Sequence, residues 1–362
     1  MNSKIVYGQK LFNNFINFNT VYETSSGNIP QQEYVYIKTE PGQGFYTWID
    51  YNNNGVKEFN EFEIAIYKDQ AEYLRVALPN ITFISTQRAK WQQVFTINPS
   101  QWSNKTGFKK ILSHFYNQTN LLIDNEQKRT NDSFNLNPFD IDETKLSGLN
   151  FSLRNSLYLN KNQDNYSIIF TYGTSKNKRL YNIGNQENNT KLHQLEFSHK
   201  LSTFWLFDFK SNTTKDEIIT ENFTNQNYKI DAYELAPRFT FEYSKNHKFS
   251  FFYNYKNKEN NVTNLEALQQ QKIGSSYYYK STKNTIIRAE FNLFHNDFTG
   301  SQNSPVAYQM LEGLQAGRNY TWSLVYQQKI NSFINLNFNY LGRKGENATV
   351  IHTGSVQLRA DF

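Results

Sequence analysis

Three observations predict an all-β chain built as an antiparallel transmembrane β-barrel of about 12–14 strands. The first is a conflict in composition. The 362 residues include 25 Tyr and 30 Phe, 17% aromatic in all, yet the mean hydropathy is −0.73. A soluble domain of this length would carry more Leu, Val and Ala. Strands with one face to lipid and one to water resolve the conflict, and aromatic girdles at the two interfaces use the rings. The second is a period of two. Ile334, Leu336, Phe338 and Tyr340 interleave with Asn335, Asn337 and Asn339, which is a strand with one oily and one wet face. The third is an alternation of short and long links, as in bacterial barrels.

The strands repeat the first pattern. Val356, Leu358, Ala360 and Phe362 oppose Ser355, Gln357, Arg359 and Asp361. Tyr320, Trp322, Leu324 and Tyr326 precede them, and Ile287–Leu293, Phe249–Tyr255, Phe239–Tyr243 and Trp205–Phe209 alternate in the same way. The polar faces carry both signs of charge, with Glu196, Asp208, Glu242 and Glu290 against Lys210, Arg238 and Arg288. Cross-strand pairing of these residues is expected inside a narrow barrel. Short links fall near Asn160–Asn165, Ser202–Thr203, Ser244–Lys248, Lys280–Asn284 and Asn331–Ser332, with long polar links between them. The expected division is an N-terminal β-rich segment over 1–80 and a barrel over 81–362. The barrel's first strand lies around Ile81–Pro99, and a long external loop at about 100–147 contains a helix near Gly107–Tyr116. The rival fold is a soluble β-sandwich, a secreted calcium-dependent adhesion or glycan-binding module.

No apolar run approaches the roughly 20 residues of a membrane helix. Cysteine is absent, which excludes disulfide scaffolds and thiol chemistry. The net charge of +6 is spread along the chain, without the basic stripe a nucleic-acid groove needs, so no nucleic-acid partner is expected. The start, Met1–Tyr7, has no apolar signal region. An outer-membrane destination therefore implies either that the chain is a piece of a longer protein, the preferred reading, or that the gene start is truncated.

The most specific motif is Asp50-Tyr51-Asn52-Asn53-Asn54-Gly55-Val56-Lys57-Glu58-Phe59-Asn60-Glu61. It fits the spacing of the EF-hand calcium loop. Asp50, Asn52 and Asn54 offer side-chain oxygens, Gly55 the sharp turn, Val56 its carbonyl, Glu58 a direct or water-borne ligand, and Glu61 a bidentate carboxylate. A structural Ca2+ is the cofactor this predicts. The competing reading is a plain Asn-Gly turn between strands. By strand parity the loop would lie at the end bearing the short turns.

Catalytic constellations are poor. An outer-membrane hydrolase would need a Ser–His pair on one face. His352 with Ser355, and His199 with Ser198, have opposite parity. No Gly-x-Ser-x-Gly, phosphate loop or zinc motif occurs, so the chain is expected not to be an enzyme.

The run Tyr46–Glu63, the segments Asn137-Pro138-Phe139 and Met310–Gln315, and the ending His352–Arg359 resemble the C-terminal part of long surface or outer-membrane proteins of the Bacteroidetes. The resemblance spans nearly the whole chain. It implies an outer-membrane setting and a missing N-terminal region, and it implies no activity. The terminal Phe362 resembles the signal read by barrel-insertion machinery, which together with outer-membrane lipid is the expected partner. The function expected is a pore, surface anchor or assembly scaffold.

Overall fold

The computed structural model describes residues 2–30, 33–79, 83–129, 135–161, 165–181, 184–262, 266–281, 284–331 and 333–360. Fifteen strands form one antiparallel meander. It opens with β1 (Asn2–Leu11) and β2 (Ile16–Pro30). The chain then builds a separate four-stranded sheet from β3 (Tyr34–Lys38), β4 (Tyr46–Trp48), β5 (Phe62–Ile64) and β6 (Tyr73–Ala77). The meander resumes with β7 (Phe83–Ile97), β8 (Phe115–Lys128), β9 (Leu146–Leu159) and β10 (Tyr166–Tyr181). It continues through β11 (Gly184–Lys200), β12 (Trp205–Thr220), β13 (Tyr228–Ser244) and β14 (His247–Asn260). It ends with β15 (Ala267–Lys280), β16 (Thr285–Thr299), β17 (Gly317–Lys329), β18 (Ile334–Gly345) and β19 (Ile351–Ala360). Two short helices lie in links: α1 (Phe108–Leu112), inside the stretch expected to be helical, and α2 (Pro305–Leu311).

The large sheet reverses the usual rule of burial. Ile273 is 60% exposed, whereas Gln270 on the opposite face of β15 is 1% exposed. Likewise Phe251 is 57% exposed and its neighbour Ser250 only 9%. The outward row of β19, Val356 and Leu358, is exposed too. The alternation read from sequence is seen in the burial of β14 and β15, whereas β19 is exposed on both faces. The covered polar face is held together across strands: Thr240 with Ser250 at 2.9 Å, Ser156 with Thr171 at 3.1 Å, Arg88 with Asp124, and Lys248 with Glu242.

Several expectations change. The large sheet has fifteen strands rather than 12–14. Residues 1–80 do not form one segment, because β1 and β2 belong to the large sheet and the small sheet is inserted between β2 and β7. The region 100–147 is not one loop, because β8 lies within it, paired with β7 and β9. Its run Asn117-Gln118-Thr119-Asn120 is polar on both faces and hides the period of two. Backbone pairing makes it a strand, and Asn117, Asn155 and Thr119 satisfy one another across its outer face. A single large ladder also replaces the two packed sheets of the rival sandwich. Among the described residues, β1 pairs only with β2 and β19 only with β18, so closure is not seen. The strand expected from Ile81 begins at Phe83; Ile81, Asp361 and Phe362 lie outside the described residues.

The links separate into two ends. One carries the links at 11–16, 159–166, 200–205, 244–247, 280–285 and 329–334, together with the α1 link. The other carries the small sheet, the hairpin at 181–184, and the links at 128–146, 220–228, 260–267, 299–317 and 345–351. The loop 50–61 thus lies at the end of the long links. The parity argument placed it at the other end because it took the links before Ile81 for barrel turns.

Candidate functional site

The end with the long links is where polar chemistry converges. Helix α2 begins with Pro305 after Ser304, whose hydroxyl accepts from the Ala307 N–H at 3.1 Å. It ends where Glu312 takes a left-handed conformation. Its apolar side, Val306, Ala307, Met310 and Leu311, packs on Ile230 and Leu268 of the covered face. Just beyond, Lys256 and Lys258 donate to the Glu312 carboxylate at 3.0 and 2.8 Å, and Lys258 also donates to the Met310 carbonyl. Burial raises the Glu312 pKa, but the two ammonium groups outweigh it and bring it to about 2. A cavity of about 350 Å³ opens beside this cluster, bounded also by Asn212 and Glu234.

The small sheet docks on α2 and on the wall around it. The Tyr308 hydroxyl accepts from the Ile66 N–H at 3.1 Å and donates to the Ile64 carbonyl at 3.2 Å. Gln226 donates to the Asn60 carbonyl, and Asn303 to the carbonyls of Asp50 and Tyr51. The strongest tie is Arg343 of β18. Its guanidinium grips the Asp69 carboxylate with two nitrogens, Nη2 at 2.7 Å from Oδ2, and lies 4.2 Å from the Tyr67 ring centroid. Glu63 sits inside the seam, where Gln309 and Tyr51 donate to it at 3.4 Å. Burial pushes the Glu63 carboxyl up to about 7, against the opposing pull of those two hydrogen bonds.

The loop expected to hold calcium joins β4 to β5, which pair with each other. Its flanks are strands and one turn of 3-10 helix at Phe59–Glu61, not the two helices of an EF-hand. Its turn is fully built. Asn53 and Gly55 have positive φ. The Asp50 carboxylate accepts from the Asn54 and Gly55 N–H groups at 3.1 and 2.8 Å, Asn52 accepts from Asn54, and Asn54 from Val56. The later ligands are placed differently. Glu58 accepts from the amides of Asn52 and Asn54 at 3.2 and 3.3 Å. Glu61 is 1% exposed and accepts from the Trp48 indole N–H at 2.8 Å. Its other oxygen is buried without a hydrogen-bond partner. Among the described residues, no three acidic or histidine side chains gather at one point. The donor types fit a hard oxygen-seeking cation, but their present placement is that of a self-bonded turn.

The histidine and serine candidates are separated. Ser198 donates to Asp208 at 2.6 Å, His199 pairs with the Asn165 carbonyl, and His352 bonds the Tyr340 hydroxyl at 2.8 Å and stacks on its ring. The residues sequence reasoning missed are Arg343, Asp69, Glu63 and α2. Each is an ordinary polar or apolar position until the fold brings the insert to the mouth of the sheet.

No protein-family model matches the sequence, and no curated protein matches it. Two solved structures align over most of the chain. One is a mutant of the Rh. blastica porin, 8% identical, covering 94% of this chain and 100% of its own, with a TM-score of 0.25. The other, described as "Asymmetric conductivity of engineered proteins", is 10% identical, covers 93% of this chain and 100% of its own, and also has a TM-score of 0.25. Scores this low leave the functional reading to rest on the chain's own faces.

Proposed function

We propose that the chain is a non-catalytic outer-membrane β-barrel protein. Its polar face lines a passage, and the small sheet with α2 plugs one end. The observation that carries this reading is the reversed burial of the large sheet. Exposed Phe, Ile, Val and Leu rows suit hydrocarbon, while buried amides and hydroxyls, with half-exposed ion pairs, lie on the other face. Bacterial barrels carry their long links outside, so the plug faces outward and the short turns face the periplasm. The pore reading is preferred to a bare anchor because ion pairs and a polar cavity lie along the covered face.

Closure is part of the proposal. Unpaired backbone groups in lipid cost several kcal/mol each, so both edges need partners there. Fifteen alternating strands leave β1 and β19 running the same way. Direct pairing would make a parallel seam, whereas an all-antiparallel barrel needs an odd number of further strands. The outward row of β19 leads to Phe362, which suits recognition by the insertion machinery. Calcium is proposed as a structural ion of the loop 50–61, reached when Glu58 leaves the Asn amides.

The test is reconstitution in lipid. A lipid-soluble photoreactive probe should label Phe251, Ile273 and Phe291 and spare Lys272, and removing residues 33–79 should raise single-channel conductance. Equal labelling of both faces refutes the membrane reading. Silent bilayers from the shortened chain refute the passage and leave an anchor. Cysteines along the outward rows of β1 and β19, Tyr7→Cys with Leu358→Cys among them, cross-link if the seam is direct.

A further inference from the structure

One face of the small sheet is aromatic. The register sets Tyr36 beside Arg75, Tyr46 beside Tyr73, and Trp48 beside Phe62, all pointing one way. Tyr36 stacks on Phe62 at 4.0 Å and 8°, while Tyr34 and Phe59 meet edge to face at 5.7 Å. The Arg75 guanidinium lies 4.9 Å from the Tyr34 ring centroid. A sheet of this size ordinarily buries such a face against another layer. Here the cover is incomplete. Between the rings and the start of β11 with the β12–β13 link runs a cleft of about 320 Å³. Phe59, 42% exposed, stands on its wall. The opposite wall is amide-rich, with Asn185, Gln186, Asn188 and Gln226.

The two walls ask for different things of one ligand. Rings reward a flat, C–H-bearing face. Amides reward closely spaced hydroxyls, since each offers both a donor and an acceptor. An apolar occupant would strand the amides without partners. A strongly charged one would meet charged groups that are already engaged, among them Glu63, which accepts from Gln309 and Tyr51. Arg75 lies over the rings, and Glu221 at the rim accepts from the Asn185 N–H at 2.8 Å. The volume lies within the range of small-ligand sites. We propose that this cleft binds a neutral oligosaccharide, with Tyr34, Tyr36 and Phe59 against pyranose faces and Asn185, Gln186 and Asn188 bonded to hydroxyls.

This inference deepens the reading of the insert as an outward plug, but it does not depend on membrane insertion. The test uses the full chain folded in detergent micelles, run on native gels containing soluble neutral glucan, mannan, galactan or xylan, with alginate as a polyanionic comparator. At least one neutral polymer should retard the protein. Phe59→Ala and Asn188→Ala should each weaken that retardation about tenfold or more, as truncation of a central contact does. Ile37→Ala, on the opposite face of the small sheet and outside the cleft, should bind as the parent does, and parental protease resistance of residues 33–79 in the alanine variants guards against their misfolding. Retardation by no neutral polymer, retardation by alginate alone, or parental binding by both alanine variants overturns the proposal. Heat-dependent gel mobility of the same samples scores the large sheet separately, so failure here is distinguishable from failure of the membrane reading.

Discussion

Phe251 in the large sheet and Phe62 in the small one are both strand phenylalanines, and the first is 57% exposed while the second is 8% exposed. The small sheet buries Phe62, Tyr73 and Ala71 while Ile37, Ile64 and Val76 are exposed on it. The large sheet places amides and hydroxyls under cover and rings outside. Both sheets come from one chain with one composition. On the proposed reading, what differs is the solvent each meets, and exposure of an apolar residue then means something different in each.

The largest expected effect tests the seam where the two regions meet. Arg343→Ala removes one partner of a largely buried ion pair and leaves Asp69 uncompensated. Undocking of the insert should become easier by about 3–5 kcal/mol. Limited proteolysis of residues 33–79 measures it, and an unchanged cleavage rate would show that docking does not run through this pair.

The comparison itself is tested by arginine scanning. Ile273→Arg on the large sheet should destabilise the lipid-inserted protein by about 2–4 kcal/mol if the site lies near the midplane. Ile37→Arg, at an exposed position of the small sheet, should stay within about 0.5 kcal/mol of the parent. Urea titration in vesicles reads both. Equal tolerance at the two positions would place both sheets in water.

Acidity sharpens the seam further. The Glu63 carboxyl is raised to about 7 by burial, above the ordinary value of 4.5. The docked state therefore holds the proton more tightly than the released state. Its contribution is full below the lower value and is lost as pH rises toward 7, by at most roughly 3 kcal/mol. Docking should loosen across that window, and Glu63→Gln should flatten the dependence. A profile that is the same in parent and variant would assign the titration elsewhere.

The smallest effect concerns the loop 50–61. Calcium at ten times its dissociation constant should protect residues 40–79 from protease by about 1.4 kcal/mol. Glu61→Gln should abolish that protection. Identical cleavage with calcium and with chelator removes the ion from the account.

Legibility from sequence followed the same division. Strands β12 to β19 could be read because one apolar and one polar face impose a period of two, and Ile334–Tyr340 obeys it without exception. β8 could not, because Asn117 and Thr119 satisfy Asn155 on the outer face and leave no hydrophobic rhythm. β1 and β2 were attached to the wrong unit, because a strand's sheet is decided by pairing between distant residues such as Tyr22 and Trp91. At the candidate site the turn chemistry of Asp50–Gly55 was readable, since it is local. The positions of Glu58 and Glu61 were not, because the Asn amides and Trp48 compete for their oxygens. The grip of Arg343 on Asp69 joins residues far apart in the chain and left no local trace.

The odd number of strands gives the molecule a built-in sidedness. Asn2 stands at the end that carries the plug, and Ala360 stands at the end that carries the tight turns. Across a bilayer, Asn2 and Ala360 would then face two different compartments. An antibody or protease that reaches an epitope joined before Asn2 from outside the cell should fail to reach one joined after Ala360. The covalent backbone would itself record which way the protein entered the membrane.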